Sequence, residues 1–132
     1  MKMRIAVAVL MVFGVGVCAA YADSHERMVA LWTCTLADGK TQADVQAANG
    51  KWVKHVNAAV EGGDIRSYVL TTVIGEPETF LYVDSFPSGK AWLASRTAME
   101  SEEGKKIEKE LEAVAKCSRS SLYESEQSVA PD

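Results

Sequence analysis

The residues with the most chemical potential in this chain lie on two short stretches. In Thr79–Phe86, TFLYVDSF, side chains two apart share a face of an extended strand. Phe80, Tyr82, Asp84 and Phe86 therefore set one carboxylate among three aromatic rings. Desolvated by such neighbours, Asp84 could act as a proton acceptor, although no paired base or metal cluster accompanies it. The plainer role, which we prefer, has Asp84 satisfying backbone donors where the strand leaves the sheet before Pro87. In NGKWVKHVN, Asn49 falls about 60° from Trp52 and about 20° from Val56 on a helical projection, inside an apolar stripe. A buried amide must find partners, either in a neighbouring protein group or in a small molecule.

Four further residues carry weaker signals. His55 sits at the border of the same stripe and reads more simply as a boundary residue than as a ligand or base. Trp52 and Trp92 lie on helical stripes where tryptophan is usually core, though it also lines ligand pockets. Arg96 could hold an anion at a cleft mouth, with a surface ion pair as the simpler role.

Residues 1–22 have the make-up of a cleaved export signal. Lys2 and Arg4 precede the apolar run Ile5–Val17, and Ala20-Tyr21-Ala22 forms a small-residue cleavage site. A membrane anchor would need about 20 apolar residues, and this run is shorter and broken by Gly14 and Gly16. The expected destination is the periplasm or the exterior. Cleavage after Ala22 would expose Asp23-Ser24-His25, whose amine, two amides and imidazole can wrap Cu(II) or Ni(II) in a square plane. No other cofactor is expected.

What remains, roughly 110 residues, is enough for one modest core: a single domain over 23–125 and a patternless tail over 126–132. Losing Lys2 and Arg4 takes the net charge from −4 to −6. An acidic chain without a basic cluster argues against nucleic acid and anionic membranes as partners. Cys34 and Cys117 then form an isolated pair, far apart and without CxxC spacing or a nearby His. In an oxidising compartment this pattern reads as one structural disulfide, stabilising by at most about 4 to 5 kcal/mol.

The elements that must position these residues follow from periodicity. Met28–Ala37 alternates as a strand, and Thr41 with Asp44 forms a capping box that opens a helix closed by Gly62-Gly63. Ile65–Phe86 reads as a hairpin turning at Gly75-Glu76-Pro77-Glu78, with Tyr68, Leu70, Thr72 and Ile74 on one face of its first strand. Pro87-Ser88 opens a second helical region, Ser101 caps a fresh helix running to Lys116, and Arg119–Glu124 is a polar edge strand.

Strand, helix, strand, strand, helix, strand is the ferredoxin-like order, an α+β fold whose antiparallel sheet runs 4-1-3-2. That order sets Cys34 beside Cys117. Because both sheet faces are apolar and the helices cover only one, a second subunit is expected on the other. With WTCTLADGKT, NGKWVKHVN and FLYVDSFPSGKAW in place, the chain over about 26–125 resembles the dimeric α+β barrel superfamily, which includes antibiotic-biosynthesis-monooxygenase-like domains, and small exported bacterial proteins of unassigned function. The resemblance implies a homodimer and a cleft between helices and sheet. None of the monooxygenases' catalytic residues has a counterpart motif here. Asn49, Trp52, Tyr82 and Asp84 are the expected lining of that cleft, open to a small, partly apolar molecule. A non-catalytic interaction module with a filled cleft and a cofactor-independent oxygenase are the competing classes.

Overall fold

A computed structural model describes residues 26–131. The export segment, the Asp23-Ser24-His25 motif and Asp132 lie outside the described residues. The element order is β1 (Arg27–Leu36), α1 (Gln42–Ala59), β2 (Arg66–Thr71), β3 (Thr79–Phe86), α2 (Gly89–Ala98), α3 (Glu102–Val114) and β4 (Ala115–Ser125). The four strands form one antiparallel sheet in the order β2-β3-β1-β4, the expected ferredoxin-like arrangement.

Each helix begins where a side chain can accept its free backbone donors. Thr41 Oγ1 accepts from the Asp44 amide at 3.3 Å, and Asp44 returns a carboxylate to the Thr41 amide at 2.8 Å, completing the capping box. Backbone donation from Thr41 is the main reason the Asp44 carboxyl is held below its ordinary value. Ser88 and Ser101 accept from Ala91 and Gly104 in the same way. The second of these caps allows α3 to start almost directly after α2. A Cβ on Gly104 would stand 2.5 Å from Met99 Cα, so the corner closes only around glycine.

All three helices lie on one face of the sheet. Along β3 the burial alternates strictly, with Phe80, Tyr82, Asp84 and Phe86 turned towards the helices. The core has two parts. One gathers Cys34, Val45, Ala48, Phe80, Tyr82, Val114 and Ala115. The other gathers Ala30, Val56, Val60, Ile65, Phe86 and Ala91, with Trp52 and Trp92 packed against it.

Three boundaries differ from the sequence expectation. β2 ends at Thr71 instead of running to Ile74, because its pairing stops at Thr71 opposite Phe80 and Gly75 takes a φ of 128°. Val73 and Ile74 are left 93% and 96% exposed on the connection, despite their strand-forming side chains. α3 ends at Val114, two residues short of Lys116, because the chain is already pairing with β1 from Ala115. β4 is consequently longer than Arg119–Glu124, and Cys117 lies within it, directly opposite Cys34. The two cysteines form a disulfide with their Cα atoms 3.9 Å apart.

The other sheet face carries no helix. Three cross-strand rows run over it: Tyr68, Val83, Leu31 and Ser121; Leu70, Leu81, Thr33 and Arg119; Arg66, Ser85, Val29 and Tyr123. Its centre is Val83, Leu31, Leu81 and Val29 with Thr33 and Ser85 among them, and its margins are polar or charged except at Leu70. Tyr68, Leu70 and Tyr123 are each about half exposed.

Candidate functional site: a polar-floored cavity between helices and sheet

α1 and α3 do not close fully over β1 and β4. A cavity of about 320 Å³ remains between them, lined by Trp32 of β1, Asn49 and Trp52 of α1, Tyr82 and Asp84 of β3, Glu108, Leu111 and Glu112 of α3, and Ala115 and Cys117 of β4. Such a volume lies at the small end of the range for ligand sites. The four residues singled out for a cleft, Asn49, Trp52, Tyr82 and Asp84, all contribute to this one lining.

The polar floor is a directed chain of hydrogen bonds. Asn49 Nδ2 donates to Ser67 Oγ at 2.9 Å, and Ser67 Oγ donates to Asp84 Oδ1 at 2.5 Å. Asn49 and Asp84 are 6% and 7% exposed, so these bonds offset the loss of water at both groups. Asp84 thus takes side-chain partners, not the backbone donors expected at the strand end. Burial pushes its carboxyl up to about 6, and the hydrogen bonds from Ser67 and the Trp32 side chain hold the rise back. Two residues earlier on the same face, the Tyr82 hydroxyl is buried and has no hydrogen-bond partner. Burial, followed by the charge of Asp84, pushes it up to about 12. At neutral pH the lining therefore includes a carboxyl that titrates just below the ambient pH, and Tyr82 contributes a neutral hydroxyl enclosed by the protein.

The remaining sequence candidates lie elsewhere. His55 Nε2 is 3.0 Å from the Ala98 carbonyl and 3.4 Å from Ser101 Oγ, joining α1 to the α2–α3 corner. Arg96 lines a second cavity of about 270 Å³ with Ala30, Trp32, Trp92 and Ser120–Leu122, so Trp32 is the wall shared by the two. Trp92 belongs to this second cavity and Trp52 to the first. Among the described residues, no group of three or more His, Cys, Asp and Glu side chains is placed to hold a metal ion.

Sequence reasoning missed Ser67, the central link of the polar chain. The turn expected at Gly75-Glu76-Pro77-Glu78 would set Asp84 opposite Val69, whereas the observed β2–β3 pairs reflect through the midpoint of Gly75 and Glu76 and set it opposite Ser67. Trp32 was visible in the β1 alternation, but its role needed the register that sets it opposite Tyr82. Glu108 and Glu112 read as part of a solvated helix face, and only the position of α3 brings them to the cavity.

Against known proteins, the resemblance is one of shape. The chain matches SnoaB, a cofactor-independent oxygenase from Streptomyces nogalater, with a TM-score of 0.59 and 12% identity over 80% of this chain and 99% of that one. A nipsnap family protein of unknown function from Agrobacterium tumefaciens gives 0.58 and 12%, over 78% and 91%. A conserved protein from Methanosarcina mazei gives 0.53 and 11%, over 80% and 96%. No protein-family profile and no curated protein sequence matches the chain. The likeness is accordingly one of fold, a βαββαβ chain with one four-stranded antiparallel sheet of the α+β barrel type. Among the described residues, no helix is long and apolar enough to cross a membrane.

Proposed function

We propose that this chain is an exported homodimer whose helix–sheet cavity holds a small, partly apolar molecule. The observation that carries the proposal is the cavity itself, with aromatic walls and a floor of linked polar groups. The ligand-site reading is supported over that of a purely structural module with a filled cleft by about 320 Å³ of space. Dimerisation is supported by the uncovered rows of Val29, Leu31, Leu81 and Val83, whose apolar centre and polar margin suit a second copy of the same face. Export is supported by the leader composition and by the Cys34–Cys117 bridge, a type of bond that persists in oxidising compartments.

Native mass spectrometry of the untagged protein, purified after normal export, tests all of these together. The expected species is a dimer starting at Asp23, two hydrogens lighter per chain than the reduced sequence, with an additional small-molecule mass. A reduced monomer without adduct would remove the proposal.

A second reading is favoured by Asp84. A cavity carboxyl titrating near 6 is a competent proton acceptor at neutral pH, as a cofactor-independent oxygenase requires for its substrate. Oxygen consumption with a phenolic substrate, lost in Asp84→Asn, would support it. Equal consumption by the variant would exclude Asp84 as the base.

A further inference from the structure

Small side chains floor most of the trough between the helices and the β1–β4 side of the sheet. On the covered face of β1, Ala30, Trp32 and Cys34 follow one another two residues apart. Leu122, Ser120 and Cys117 stand opposite them on β4. Trp32 is the only aromatic side chain on the covered face of these two strands, with alanine on one side of it and cysteine on the other. The two cavities divide at this ring. The first, about 320 Å³, extends from Trp32 towards Cys117 and Ala115 beside α3. The second, about 270 Å³, extends the other way over Ala30, Ser120 and Leu122, against Trp92 and Arg96 of α2. Trp32 is the one described residue common to both linings.

The ring is also held where it stands. Tyr82 on β3 and Ser120 on β4 are its cross-strand neighbours, and it packs against the core cluster of Cys34, Val45, Phe80 and Tyr82. Its side chain donates to Asp84. An indole N–H can only donate, so turning the ring aside would take a donor from a buried carboxyl and leave the N–H without its acceptor. From Ala30 to Leu36, which stands opposite Ala115, the strand runs roughly 20 Å. Without the indole, the two spaces along it would join into one trough of nearly twice the volume of the first.

We propose that Trp32 is the specificity-determining residue of the ligand site: it partitions the trough into two short compartments, so that the site takes compact, partly apolar molecules and turns away elongated ones. This rests on the reading of the first cavity as a ligand site and adds what limits the length of its ligand. A chain growing along the strand gains affinity with each methylene taken out of water, and the gain stops where the indole stands, because further methylenes stay in solvent.

A homologous series of phenylalkanols, from phenylethanol to phenyloctanol, measures the length of the compartment by titration calorimetry on the full exported chain. In the wild type each added methylene is expected to tighten binding about fourfold until the compartment is full, after which the affinity levels off. In Trp32→Ala the levelling should come roughly two or more methylenes later, with the longest alcohol bound about tenfold or more tightly than by the wild type. Trp32→Leu keeps an apolar side chain on the strand, should move the levelling in the same direction, and decides the question if the alanine variant does not fold. Leu122→Trp fills the second cavity alone and, combined with either variant, should bring the levelling back to its wild-type length. Levelling at one length in wild type and variants, or no levelling in the wild type, would overturn the partition while leaving the ligand site standing. So would a gain that Leu122→Trp leaves untouched, since the added room would then be that of the missing indole only. Failure of every alcohol to bind the wild type would overturn the ligand site and the partition together.

Discussion

The two faces of the sheet are left incomplete in different ways. A sheet covered on one side commonly places apolar residues under its cover and polar ones in water. Here the covered face is largely apolar but also carries Ser67, Tyr82 and Asp84, with Asn49 of α1 against them, and three of these four are at most 7% exposed. The uncovered face presents Val29, Leu31, Leu81 and Val83 at its centre. Each face thus carries groups that its own surroundings leave incomplete. Under the proposed function a small molecule completes one face and a second copy completes the other. The physics differs accordingly: a few directed polar contacts in a small space on one side, and broad apolar area on the other.

The covered face is the more sensitive to truncation. Phe80→Ala should cost about 4 kcal/mol in urea unfolding, because the ring is 2% exposed and stacks edge-on with Tyr82 at 5.2 Å. A cost below about 1 kcal/mol would mean that the helices can settle into the cavity and that its volume is not fixed by packing. Next comes the pH dependence of Asp84. Its carboxyl is raised from 3.8 to about 6 by folding, so its contribution is fully present below about pH 4 and disappears as pH rises through 6, a loss of roughly 3 kcal/mol at most. Asp84→Asn cannot titrate. The stability of the wild type relative to this variant should therefore fall between pH 4 and pH 7, and a flat difference would mean that Asp84 stays solvated. Comparing the two proteins cancels the opposite contributions of Asp44, Asp64 and Glu110, whose carboxyls are lowered.

The uncovered face is tested by charge. Val83→Lys, in the middle row between Tyr68 and Leu31, should weaken the dimer by about 2 kcal/mol, roughly 30-fold in Kd, with each protomer still folded. Sedimentation at micromolar concentration would show it, and an unchanged dimer would place the interface elsewhere. The smallest effect returns to the cavity. Tyr82→Phe removes the unpartnered hydroxyl and should stabilise the ligand-free protein by about 1 kcal/mol. No gain would show that water already completes the hydroxyl.

The parts of this fold governed by local rules were legible in the sequence. Thr41 with Asp44, Ser101, and the alternation from Phe80 to Phe86 each act over a few residues, and the structure keeps them. What was not legible depends on partners distant in sequence. Val73 and Ile74 are strand-formers that find no strand, because β3 begins only at Thr79 and the pairing ends before them. Lys116 has little strand propensity to declare, yet it extends the sheet because β1 offers its free edge at Thr35, and Ser118 beyond it falls at a bulge without a partner on β1. The site divides along the same line. Asp84 and Asn49 were visible from periodicity, whereas Ser67 required a register and Glu108 and Glu112 required the docking of α3.

The placement of the Cys34–Cys117 bridge bears on how the cavity exchanges its contents. β4 is an edge strand, and an edge strand is ordinarily the part of a sheet that peels away most easily. At Cys117 this strand is also a wall of the cavity, and the bridge fastens it to β1 at that wall. Opening from the strand side is blocked for as long as the bond is intact. Under the proposed function, a small molecule would enter and leave by the open side, along α3 past Glu108 and Glu112.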